Sequence, residues 1–198
     1  MITASEAREY IPTLSGTADD ALLNMLIGRF DAVAAGYMGY PKQSSGTVSL
    51  ESGTYIEYLN GKGGREVTVT AKPVSSITSI YDDPDLDYTD SEDLIAASDY
   101  TLYGDEGRII LDYNATDASW SSGRRHVKVT YVAGYSSIPS AIKHAASIQV
   151  AHWYLSRSHI GKTNVSSAGQ SANLMSLDLL PEVKMALAPY RLATVWVG

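Results

Sequence analysis

Cysteine is absent from the 198 residues. That excludes disulfides, thiolate metal sites, iron–sulfur clusters and cysteine nucleophiles, and leaves packing alone to hold the fold. Long apolar runs are missing as well, since nothing approaches the roughly 20 residues of a membrane span. The opening Met1-Ile2-Thr3-Ala4-Ser5-Glu6 has neither the basic nor the apolar region of a signal peptide. The chain therefore reads as made and used in the cytoplasm, or in a particle assembled there, with no membrane partner. Phenylalanine is nearly absent, one residue against 14 Tyr and 3 Trp. Tyr and Trp join apolar area to a polar tip and are enriched where surfaces meet partners. Tyr is also favoured in strands, and the two readings carry equal weight.

Basic residues are missing from one whole stretch. Residues 81–107 hold ten acids (Asp82, Asp83, Asp85, Asp87, Asp90, Glu92, Asp93, Asp99, Asp105 and Glu106) and no Lys or Arg. Before it the charges nearly balance, and after it bases outnumber acids. A net charge of −7 disfavours tight phosphate binding, because neutralising phosphates is what drives non-specific affinity for nucleic acid. Duplex DNA beside this protein is expected to be tolerated, not gripped.

What is present describes an ordinary globular chain, 44% apolar and 19% charged. At this length folding buries roughly 70% of the unfolded surface, enough for one core or a core with a smaller lobe. Residues 19–35 place Leu22, Leu23, Leu26, Ile27, Phe30, Val33 and Ala34 on one helical stripe, with Gly36 placed to stop it. Residues 5–10 read as one or two helical turns ahead of it. From 47 the apolar period falls to two, predicting strands at 47–50, 55–59, 66–70, 77–81, 100–103, 108–111 and 126–132, with 60–64 as a hairpin loop and 104–107 as a tight connection. Helical spacing returns at 141–155, where Lys143 is the one formally charged side chain. Such a helix is buried in a bundle or against another subunit, and Ile142, Ala146, Val150 and Trp153 are its expected subunit-interface residues. Residues 161–176 are small and polar without period and read as a mobile linker. A last helix is expected from Pro181 to before Pro189. The fold class is α+β: a helical bundle from the N- and C-terminal helices with an inserted antiparallel β-unit. The whole chain forms one subunit, divided into N-terminal helices (1–45), the β-insert (46–137) and C-terminal helices (138–198).

Chemistry is hard to find. Asp83-Pro84-Asp85-Leu86-Asp87 opens like a calcium loop, but Tyr88 stands where the loop's glycine belongs and Leu94 where its bidentate acid belongs. A solvated acidic loop is the better reading. His144, His152 and His159 are spaced eight and seven apart, too far to chelate one ion. No Gly-x-Ser-x-Gly elbow accompanies Ser136 and His144, and Gly61–Gly64 lacks the ending of a phosphate loop. No catalytic, cofactor or metal site is expected. The alternative of another class, a hydrolase or carbohydrate-active β-domain, would use acids of 82–106 and needs two carboxylates about 5–10 Å apart in a cleft.

Four patches, taken in order, resemble the head–tail connector (adaptor, head completion) proteins of tailed bacteriophages. They are Pro73-Val74-Ser75-Ser76-Ile77-Thr78-Ser79-Ile80-Tyr81; Tyr100-Thr101-Leu102 with Gly107-Arg108-Ile109-Ile110-Leu111; Val127 through Tyr135 followed by Ile138-Pro139-Ser140-Ala141-Ile142-Lys143 and an alanine-rich helix; and Leu180-Pro181-Glu182-Val183 through Pro189-Tyr190-Arg191. The resemblance implies a helical bundle with a β-insert, assembled as a homo-oligomeric ring, usually a dodecamer, in the neck of a virion put together in the host cytoplasm. Its partners would be the portal protein above and a tail or stopper protein below, with Tyr190 and Arg191 at the portal or tail contact and DNA passing without tight binding. No cofactor and no catalytic residue are implied. The acidic stretch 82–99 departs from the family pattern, as a solvent-facing flap or as part of the channel. A tail-completion or neck protein at another level of the particle is the nearest alternative.

Overall fold

The computed structural model describes residues 1–157, 164–167, 170–173 and 178–192. It divides into two compact units, Met1–Ala34 with Ser137–Arg191, and Ala35–Ser136 with Leu192. The chain mixes helices with antiparallel sheets, as the α+β reading requires.

In the first unit, α1 (Ala4–Glu9) starts with a capping box: Thr3 Oγ1 accepts the Glu6 N–H while Glu6 accepts the Thr3 N–H. Helix α2 (Asp20–Met38) buries Leu23, Leu26, Ile27, Phe30 and Ala34, the stripe read from sequence, although Leu22 and Val33 stay half-buried. It does not stop at Gly36. Gly39 takes φ +87°, and the N–H groups of Gly39 and Tyr40 close back on the carbonyls of Gly36 and Ala35. This is a left-handed cap of the Schellman type, which needs a residue with no Cβ penalty.

Helix α3 (Ser140–Ser156) packs against α1 and against α4 (Pro181–Leu187), and Pro181 takes the first-turn position its missing N–H suits. Of the two covers expected for α3, a bundle or another subunit, the first is seen within this chain. Ile142, Ala146 and Val150 are fully buried and Trp153 is 3% exposed, all inside the subunit. Polar groups complete the cover: buried Gln149 accepts the Leu180 N–H at 2.8 Å and donates toward the Asp178 carbonyl at 3.4 Å. The Tyr154 hydroxyl donates to Asp19 Oδ2 at 2.7 Å, and the Arg29 guanidinium lies 4.5 Å from the Trp153 ring centroid. Of the expected linker, 164–167 and 170–173 are two short paired strands, β7 (Asn164–Ser167) and β8 (Gln170–Asn173). The rest of it, and His159, lie outside the described residues.

The second unit holds two three-stranded antiparallel sheets. The larger has the order β1 (Gly53–Gly61), β6 (Gly123–Ala133), β3 (Val74–Asp82), and the smaller the order β2 (Glu66–Thr68), β5 (Arg108–Leu111), β4 (Tyr100–Tyr103). Residues 60–64 are therefore not a hairpin loop. β1 pairs with β6 and β2 with β5, so the run of glycines carries the chain from one sheet to the other. Gly61 makes a close backbone approach: a Cβ there would sit 1.7 Å from the Ser121 carbonyl oxygen. The strand expected at 47–50 is absent, that segment being tied by turns such as Gln43 N–H to the Thr47 carbonyl. Residues 104–107 are the expected tight connection, between β4 and β5, with Gly107 at φ +65°.

Along β6 the period of two is strict: Val127, Val129, Tyr131 and Ala133 are buried, while the residues between them lie on the other face, half-buried. On the buried face Tyr55 and Tyr131 stand opposite each other with stacked rings 5.6 Å apart. Glu57 accepts the Tyr131 hydroxyl and the Thr70 N–H, while Tyr131 itself accepts the Ala71 N–H. Burial is the first cause that pushes the Tyr131 phenol far above its ordinary range. Trp120, 1% exposed, seals the unit with its indole N–H donated to the Arg65 carbonyl at 3.0 Å.

Candidate interaction surface

On the outward face of the larger sheet, register sets three residues side by side. Tyr58 of β1, Lys128 of β6 and Tyr81 of β3 are direct cross-strand partners, so their side chains leave the same face. A fourth residue, Tyr88, reaches them from the acidic stretch. The Lys128 ammonium sits 5.6 Å from the Tyr81 ring centroid and 5.2 Å from that of Tyr88, and the Arg125 guanidinium sits 4.4 Å from that of Tyr58. The Tyr58 and Tyr88 rings are tilted against each other at 5.2 Å. These are cation–π distances, worth about 0.5–1 kcal/mol each at exposed sites.

Asp83 holds Tyr88 in place. Its buried carboxylate accepts the backbone N–H groups of Asp85 at 2.6 Å, Leu86 at 3.0 Å and Tyr88 at 2.6 Å. The loop so folded turns left-handed at Leu86 (φ +69°) and Tyr88 (φ +56°), conformations that non-glycine residues adopt only where something compensates. The N–H of Tyr88 is the first cause that holds the Asp83 carboxyl below its ordinary range. The Tyr88 hydroxyl then donates to the Arg125 carbonyl at 2.6 Å, and Arg125, itself at φ +62°, donates its N–H to Asn60 Oδ1 at 3.0 Å. The three left-handed non-glycine residues of the described chain thus belong to one cluster.

The acids of 82–106 serve mostly as loop anchors. Asp82, buried like Asp83, accepts the Ser121 N–H, Asp87 caps Thr89, Asp99 binds Thr116 and Ser98, and Glu106 pairs with Arg108. Burial is the leading cause that pushes the Asp82 carboxyl upward. The loop is therefore not uniformly solvated, since its first two acids are interior; Asp85, Asp87, Asp90 and Glu92 are exposed. Among the described residues no group of three or more His, Asp or Glu side chains is arranged to hold a metal ion, and no helix is long and apolar enough to cross a membrane.

Ile142, Ala146, Val150 and Trp153 belong to the interior of the first unit, and what α3 leaves exposed is Ser140, Ala141, His144 and Leu155. Tyr190, half-buried, and exposed Arg191 follow α4 at the end of a 3-10 turn. The aromatic and cationic cluster itself was missed. Fourteen tyrosines were a visible signal, but the pairing of β6 with both β1 and β3 that sets two of them beside Lys128, and the loop that brings Tyr88 as a third, were not.

The most organised surface feature of this α+β chain is thus a platform of Tyr and Arg, residue types enriched where partners meet, gathered around Lys128. Residues 1–193 match the family model for head completion protein, and the chain belongs to that family. Its place is accordingly among the structural proteins of bacteriophage virion assembly. The fold is similar to that of a chain in the neck of an empty GTA particle computed with C6 symmetry, with a TM-score of 0.59 and 20% identity over 100% of this chain and 92% of that one. No curated protein matches it.

Proposed function

We propose that this protein is a head–tail connector subunit that forms a ring beneath the portal, closes the DNA-filled head and provides the platform to which the tail attaches. The observation that carries this reading is the family match across 1–193. In this arrangement the terminal helices form a bundle, the antiparallel β-unit is inserted between them, and the ring stands in the virion neck after assembly in the host cytoplasm. The GTA neck supports a ring: a sixfold-symmetric particle accommodates subunit numbers that are multiples of six, a dodecamer included. The portal lies on one face and a tail or stopper protein on the other, with Tyr190 and Arg191 at one of these contacts. Duplex DNA passes through without being held, in keeping with the net charge of −7.

The test is the mass and shape of the purified protein, alone and with portal, by light scattering and negative-stain microscopy. Rings on the portal, or rings in isolation, are expected. A protein that stays monomeric and never joins portal at any concentration overturns the reading.

A further inference from the structure

Two different parts of the larger sheet carry opposite chemistry. Residues 93–95 run along the outer edge of β3: the Asp82 N–H donates to the Asp93 carbonyl, the Ile95 N–H to the Ile80 carbonyl, and Tyr81 bridges Leu94. That edge presents Asp90 and Glu92 with Leu94, which is 45% exposed. Two strands away, β1 presents Ile56 and Tyr58, 44% and 40% exposed, and exposed Arg124 and Arg125 stand next to it on β6, where that strand runs past the end of its pairing with β3. Among the described residues neither arginine has a carboxylate partner in an ion pair. Arg125 is held over Tyr58, its backbone fixed in a left-handed conformation by Tyr88 and Asn60. A strained, exposed arginine held over an aromatic base is a geometry that asks for a partner.

We propose that the β1 side of this sheet, Ile56, Tyr58, Arg124 and Arg125, docks a second copy of this chain through that copy's 90–94 segment. The inference rests on the ring reading above and names the contact by which one subunit meets the next. The complementarity is twofold: two arginines meet Asp90 and Glu92, and an apolar Ile–Tyr pair meets Leu94. Because the two surfaces differ, the contact is head-to-tail, the kind that closes a ring when the rotation between copies closes. A polyanion such as DNA is the poorer occupant, since the same sheet carries the base-free acidic stretch beside the platform.

The experiment is a charge swap, read as ring yield at fixed protein concentration, with portal present if the parent requires it. One variant carries Arg124→Glu and Arg125→Glu, the other Asp90→Lys and Glu92→Lys. Each alone should lower ring yield by about tenfold or more, as like charges meet at the contact. An equimolar mixture should regain rings by alternating the two, and all four substitutions in one chain should regain them as well. Far-ultraviolet circular dichroism melts establish that the monomers fold. If the double arginine variant does not, Arg124→Glu alone, at an exposed position that makes no cation–π contact with Tyr58, carries the same test. Rings from either single-surface variant at parental yield overturn the proposal, and so does loss in both without recovery on mixing. A parent that forms no ring at all fails the ring reading instead, so the two failures are told apart.

Discussion

Asp83 shows how much one side chain can decide. Both its oxygens are occupied by backbone N–H groups, Oδ1 by Asp85 and Leu86 and Oδ2 by Tyr88, and hydrogen bonds to the charged form favour it. A carboxyl whose folded pKa is lowered contributes stability that is present above its unfolded value, about 3.9, and that is lost as pH falls through the lowered folded value. The loop at 83–88 should therefore keep its order below pH 4, the amide signals of Asp85, Leu86 and Tyr88 titrating together with a midpoint under the ordinary aspartate value. An ordinary midpoint in an NMR titration would show the carboxylate to be a bystander. Asp83→Asn should loosen the loop at every pH, because the amide NH2 faces at least one of the donors that the carboxylate now accepts, and Tyr88 should lose its hold on the Arg125 carbonyl. From sequence, the alternating aspartates raised the question of an ion. That the first of them is buried as a backbone anchor was not legible, since nothing in Asp-x-Asp spacing tells a ligand from a cap.

At the scale of elements, periodicity located most of the structure. The stripe from Leu23 to Ala34, the alternation along 127–133 and Pro181 at the start of α4 all announced their elements. What escaped was pairing and punctuation. Alternation gives a strand its two faces but does not name its neighbour, so β1 and β2 looked like a hairpin although each pairs with a strand far along the chain. Likewise the apolar circumference of α3 was read correctly as buried, while its cover turned out to be α1, α4 and the 178–180 backbone. Two glycines competed to end α2, and only φ separates them. Gly39 sits at φ +87° with its nearest outside atom 3.8 Å from a built Cβ, whereas Gly36 has ordinary φ and open space. Gly39→Ala should cost about 1–2 kcal/mol through strain alone, and Gly36→Ala should gain about 0.5–1 kcal/mol. Thermal melts of opposite sign would establish the assignment; a loss at Gly36 equal to that at Gly39 would contradict it.

For the whole molecule, charge was the most legible property and its purpose the least. A net charge of −7 with no base in 81–107 argues that affinity for duplex DNA draws nothing from counterion release. An anisotropy titration in near-physiological salt should find no binding tighter than about 10⁻⁶ M, and a nanomolar constant that weakens steeply with salt would overturn that expectation. The family was approached through the order of four short patches, each of which is a packing or turn feature: the β3 strand, the β4–β5 hairpin, β6 leading into α3, and the proline that opens α4. The platform on the sheet left no such linear trace, because its residues at 58, 81, 88, 125 and 128 meet only through strand register and the fold of the 83–88 loop. The division into two units has one more consequence, for the order in which the chain matures on the ribosome. The unit built on Ala35–Ser136 is contiguous apart from Leu192, and its sheets can be complete once β6 has emerged. The other unit joins Met1–Ala34 to Ser137–Arg191, so the apolar stripe of α2, Phe30 included, lacks the rest of its unit until residues from 137 on have been synthesised, more than a hundred residues later. The nascent chain is thus a finished β-structure carrying a sticky helical arm, the species on which a chaperone, or another copy translated nearby, would act first.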